Sequence, residues 1–65
     1  MRVVLNGEDR EIEAATLAEA LEALDYADAI VATAVNGEFV PHDQRGETTI
    51  KEGDAIEVLA PMQGG

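Results

Sequence analysis

Cysteine is absent from this chain, lysine and histidine occur once each, and only four residues carry a lysine or arginine charge. Without cysteine there is no disulfide and no thiolate to brace the fold or hold a metal. Such a chain suits a reducing compartment, and a cytoplasmic location is expected. A transition-metal site wants three or four converging ligands, so a lone histidine among scattered carboxylates supplies none. With one histidine and no cysteine, no Ser/His/Asp or Cys/His constellation is assembled, and no catalytic residue is assigned. No GxxxxGK[ST] phosphate loop occurs, so no bound cofactor is expected and ATP is not expected to bind the chain itself. No apolar run is long enough for a signal peptide or a membrane span.

The shortage of positive charge is as informative. Fourteen Asp and Glu against four Lys and Arg leave a net charge of −10. Nucleic-acid binding needs a basic footprint, and this chain has the opposite. Anionic membranes are disfavoured for the same reason. An acidic surface suits a basic protein partner, with electrostatic steering of the encounter. It also suits high salt, where screening relieves self-repulsion.

The length of 65 residues allows one domain. A domain this small buries only about 60% of the surface its unfolded chain exposes, which leaves no room for a deep pocket. The expected organisation is a folded domain over residues 1–60 and a flexible tail over 61–65.

Within the domain, the β-branched stretch 2–6 reads as a strand, and Asn6-Gly7 as a hairpin turn. Residues 10–13 then give a short polar edge strand with Ile12 as its core residue. Thr16-Leu17-Ala18-Glu19 fits a capping box, with Thr16 as cap and Glu19 bonding back to the Thr16 N–H. Leu17, Ala20, Leu21 and Leu24 recur on one face of a helix of about nine residues, too short to stand alone. Residues 30–36, nearly all apolar or small, read as a central strand. Asn36-Gly37 is a second hairpin signal and 38–40 its return strand, ended by Pro41. Residues 42–47 read as a loop or single turn, 48–50 as a brief strand contact, 51–54 as a tight turn needing Gly53, and 55–60 as the last strand. A right-handed crossover makes the first strand and a later one parallel neighbours. The class is α+β: a small mixed sheet on one helix, a ubiquitin-like β-grasp.

The chain ends Pro61-Met62-Gln63-Gly64-Gly65. Glycine has no Cβ, so a Gly-Gly end can lie extended in a channel too narrow for side chains. It would deliver the α-carboxylate of Gly65 into another protein's active site. On the last strand, Ile56 and Val58 are assigned to the core, which turns Leu59 outward. Leu59, with Val4, Met62 and Gln63, is read as a partner-binding patch beside the tail. His42 is read as a surface loop residue and Lys51 as a solvated turn lysine. The acidic residues Glu8, Asp9, Glu11 and Glu13 read as a solvated edge.

Three segments, Asn36-Gly37-Glu38-Phe39-Val40-Pro41, Glu52-Gly53-Asp54-Ala55-Ile56-Glu57 and Gln63-Gly64-Gly65, together with the Thr16-Leu17…Leu21…Leu24 helix, resemble the ThiS family of sulfur carriers over the full length. The resemblance implies that Gly65, on the Gly64 stalk, carries the sulfur. An E1-like adenylating enzyme would activate its carboxylate with ATP, a sulfur donor protein would convert it to a thiocarboxylate, and thiazole synthase would take the sulfur for thiamine. The chain would then be a protein co-substrate, monomeric when free, and not an enzyme. His42 stands where the family often has Arg, and Arg45 where it often has Trp. Both departures fall in the loop and bear on partner contact. The same tail also fits a molybdopterin synthase small subunit or a ubiquitin-like modifier.

Overall fold

The computed structural model describes residues 1–26 and 29–60. Strand β1 (Arg2–Leu5) turns at Asn6-Gly7 into β2 (Glu8–Glu11). Helix α1 (Leu17–Ala23) crosses to β3 (Ala32–Val35), which turns at Asn36-Gly37 into β4 (Glu38–Val40). A 3-10 helix (His42–Glu47) leads to β5 (Ala55–Leu59). The sheet order is β2-β1-β5-β3-β4, with β1 and β5 parallel and the other pairs antiparallel. This is the β-grasp arrangement that the sequence implies.

Several boundaries differ from the sequence reading, each for a local reason. The two-residue turn pairs Leu5 directly with Glu8, so β2 begins two residues before position 10. Ile12 lies past the strand yet is buried, held by its N–H on the Met1 carbonyl at 2.9 Å. Thr16 Oγ1 accepts from the Glu19 N–H at 3.2 Å as a cap should. Glu19 Oε1, however, takes the N–H of Ala15 at 2.8 Å, one residue before the one expected. The helix is shorter than nine residues because Asp25 enters the left-handed region at φ 71°. There the Tyr26 N–H reaches the Leu21 carbonyl and the Asp25 N–H the Glu22 carbonyl, a Schellman ending without its usual glycine. Strand β3 starts at Ala32, and Ile30 is 84% exposed. It is an interior strand, but β5 holds the centre, because the crossover inserts β5 between β1 and β3.

One face of the sheet supplies Val3, Leu5, Val40, Ile56 and Val58 to the core, and α1 closes it with Leu17, Ala20 and Leu21 and with Leu24 at its C-terminal cap. Ile50 joins from the segment after the 3-10 helix, where Thr16 and Thr49 form an isolated antiparallel bridge. At about 25 cal/mol per Å² of apolar area, each of the larger side chains contributes roughly 1.5–3 kcal/mol on burial. Among the described residues one α-helix packs on the sheet, and they leave its opposite face uncovered.

Candidate functional site

Gly64 and Gly65, with Met62 and Gln63, lie outside the described residues. The described part of the candidate site is the ground from which that tail departs: the end of β5 and the open sheet face around it. Side chains alternate along a strand, so with Ile56 and Val58 buried, Glu57 and Leu59 face outward. Leu59 is 73% exposed.

The register shows what surrounds it. Ala32 of β3 stands opposite Leu59, and Ala34 stands between Glu57 of β5 and Phe39 of β4. Two alanines therefore form a low floor, and the larger side chains rise on either side. The result is a groove of about 160 Å³ lined by Ala32, Thr33, Ala34, Phe39, Glu57 and Leu59. Phe39 is 68% exposed, an uncommon position for the chain's single phenylalanine. The groove is apolar with one carboxylate at its rim, so it can take an apolar side chain and meet a cation beside it.

Val4, assigned to the same patch from the sequence, shares the open face but not the groove. It is half-buried and pairs with Ala55, four residues before Leu59, or roughly 13 Å along the strand at ~3.3 Å per residue. Phe39 was not singled out from the sequence, although the signal was there: Val40 points inward, so its neighbour must point out.

The buried polar side chains, Thr33, Arg45 and Asp54, are structural. Arg45, read from the sequence as a loop residue bearing on partner contact, is buried. Its Nε donates to Thr33 Oγ1 at 3.0 Å and its Nη2 to the Val31 carbonyl at 2.6 Å. Thr33 Oγ1 in turn donates to the Val40 carbonyl at 3.1 Å. The guanidinium thus pins the 3-10 helix to β3, and its departure from the family pattern bears on packing. His42 remains exposed, at the rim of a hollow of about 200 Å³ with Tyr26, Glu22 and Arg45.

Asp54 is buried in the turn before β5. Its Oδ2 accepts from the Lys51 N–H at 2.8 Å and its Oδ1 from Asn36 Nδ2 at 3.1 Å. The Lys51 N–H bond lowers its pKa most; burial opposes this, and the Asn36 amide adds to the lowering. The Met1 ammonium lies 3.0 Å from Glu11 and 3.5 Å from Glu13. The hydrogen bond that it donates to Glu11 raises its pKa above the ordinary value. Among the described residues no group of histidine and carboxylates could hold a metal ion, and no helix is long and apolar enough to cross a membrane.

The ThiS family model matches residues 3–65. A Thermus thermophilus protein named sulfur carrier protein ThiS is 40% identical over 63 residues, covering 97% of this chain and 98% of that one. The crystal structure of the thiamine biosynthesis protein ThiS from Geobacter metallireducens superposes with a TM-score of 0.83 at 36% identity, covering all of both chains. A solution structure of a thiamine biosynthesis protein from the same organism gives 0.79 at 35% identity, covering all of this chain and 88% of that one.

Proposed function

The chain belongs to the ThiS family, and on that premise we propose that it is a sulfur carrier of thiamine biosynthesis, with Gly65 as the sulfur-bearing residue. The observation that carries this reading is a family match that runs through the terminal Gln63-Gly64-Gly65. A free carboxylate at neutral pH is a poor electrophile. The partner's ATP supplies the remedy: a Gly65 oxygen attacks the α-phosphate, pyrophosphate leaves, and the acyl-adenylate forms. A sulfur donor protein then attacks the carbonyl carbon, and AMP departs. The donor's sulfur is a persulfide, so the attack gives an acyl disulfide. A thiol then cleaves its S–S bond, forming a disulfide with the donor cysteine and leaving the thiocarboxylate, which thiazole synthase consumes. The carrier contributes no catalytic group. It contributes a handle at Gly65 and an address on its fold.

The address is the groove between Phe39 and Leu59. It lies on the face that α1 leaves open, at the end of the strand that leads into the tail. An apolar side chain of the adenylating enzyme, with Arg or Lys beside it, fits the groove and its Glu57 rim. The net charge of −10 adds to the attraction for a basic surface.

The test is intact mass after incubation with ATP, an adenylating enzyme and a sulfur source. One oxygen should be replaced by sulfur, and fragmentation should place the change at Gly65. Gly64→Val should block the reaction while the thermal melt stays put, since a β-branched side chain obstructs a narrow channel. Full sulfur transfer by a variant lacking Gly65 would sink the proposal.

A further inference from the structure

Both hairpin turns of the sheet are Asn-Gly dipeptides, and in both the asparagine grips β5. Asn6 and Asn36 sit in the left-handed region at φ 49° and 52°. Asn6 Oδ1 accepts from the Val58 N–H at 2.9 Å, and its Nδ2 donates to the Val58 carbonyl at 3.2 Å. Asn36 Oδ1 accepts from the Ala55 N–H at 3.0 Å, and its Nδ2 donates to Asp54 Oδ1 at 3.1 Å. Each side chain therefore needs both an acceptor and a donor. An amide supplies both, and an ionised acid supplies only acceptors.

Asparagine before glycine has a chemistry of its own. Glycine's bare backbone lets its nitrogen approach the asparagine Cγ. A bond forms between the two, the bond from Cγ to the side-chain nitrogen breaks, and ammonia leaves with the proton from the glycine N–H. The product is a cyclic succinimide. Water opens one of its two carbonyls, giving aspartate or isoaspartate. Only water is consumed, and neither oxidant nor enzyme is needed.

We infer that Asn36 is a deamidation site at which the fold governs both the rate and the consequence. The rate is held back because Ala55 and Asp54 together fix the side-chain amide, and its Cγ cannot turn to the Gly37 nitrogen until that clasp opens. The consequence follows from the partner. Reaction replaces Nδ2 by oxygen and sets a second carboxylate against Asp54 Oδ1. Asp54 cannot turn away freely, since its other oxygen holds the Lys51 N–H at 2.8 Å. Asn6 is the internal control: its product faces the neutral carbonyl of Val58.

The test compares the intact protein with the same protein in urea at mildly alkaline pH, with peptide mass spectrometry following amide-to-acid conversion at residues 6 and 36. Conversion at Asn36 should be at least ~10-fold slower in the folded protein, since it must wait for local opening. Equal rates overturn the gating. N36D should lower Tm by roughly 5–10 °C, more than N6D does. N36D/D54N should recover most of the loss, because an amide at position 54 can donate to the new carboxylate and still accept from Lys51. If N36D melts with the parent, or the second substitution restores nothing, the clasp to Asp54 is refuted. If N36D does not fold alone, the double variant decides.

Discussion

Ala32 faces Leu59 across the β3–β5 ladder, and the smallness of the one makes the other a wall. Any larger residue at position 32 would level the groove between Leu59 and Phe39. The apolar surface at the base of the tail is thus shaped as much by two alanines as by the two large side chains.

If this groove is the docking site, Leu59→Glu and Phe39→Ala should each weaken binding to the adenylating enzyme by roughly 10-fold or more, the scale of a well-seated interface side chain. Both side chains are exposed, so stability should move by no more than about 0.5 kcal/mol. Titration calorimetry and denaturant melts check the two halves. Unfolding by Leu59→Glu would mean that Leu59 contributes to the core.

Arg45 and His42 should behave oppositely although they are three residues apart. Arg45→Ala leaves Thr33 Oγ1 and the Val31 carbonyl without their donor and opens space beside the 3-10 helix. A loss of about 1–3 kcal/mol is expected for unsatisfied buried groups. His42→Ala should be within ~0.5 kcal/mol of the parent. Urea unfolding of the two variants measures the contrast.

Asp54 should make the protein acid-sensitive. Its folded-state pKa lies below the ordinary 3.8, chiefly through the Lys51 N–H bond and against the opposing effect of burial. A depressed carboxylate contributes stability that is full above the unfolded pKa and is lost as pH falls through the folded one. Stability should therefore decline below about pH 4, the ordinary carboxylate range. Asp54→Asn should flatten that decline. Urea midpoints between neutral and strongly acid pH, for parent and variant, test the assignment.

Sodium chloride should act in two opposing ways. Among the described residues the ion pairs involve only the Met1 ammonium and Arg2, which lies 2.8 Å from Asp9. Most of the acidic surface therefore repels itself. The Debye length falls from roughly 30 Å at 0.01 M to about 3 Å at 1 M salt. The melting midpoint should rise over that range while association with a basic partner slows. A midpoint that is flat or falls would remove repulsion as a stability term.

The order of elements was legible because the turns are chemically explicit. Asn6-Gly7, Asn36-Gly37 and Gly53 all adopt positive φ where the sequence calls for it, and Thr16 caps its helix. What was hidden depends on contacts distant in sequence. The Asp25 ending carries no glycine to announce it. Arg45 looks like a loop cation until Thr33 and Val31, more than ten residues away, supply its acceptors. The outward turn of Leu59 could be read from alternation along one strand. The groove needed the register of three strands, because Phe39 becomes its second wall only when Ala34 is known to lie between β4 and β5.

The sheet's middle strand is also the last one in sequence among the described residues. β1–β2 and β3–β4 are separate hairpins, and in the sheet they are joined only through β5. A nascent chain halted before Ala55 holds two isolated ribbons, each marginal alone in water. Completion then requires one long closure, Leu5 to Ile56, alongside the short ones. During synthesis the molecule should stay protease-sensitive until β5 clears the ribosome and then consolidate in one step, so that a partner reading the folded face meets only chains translated through β5.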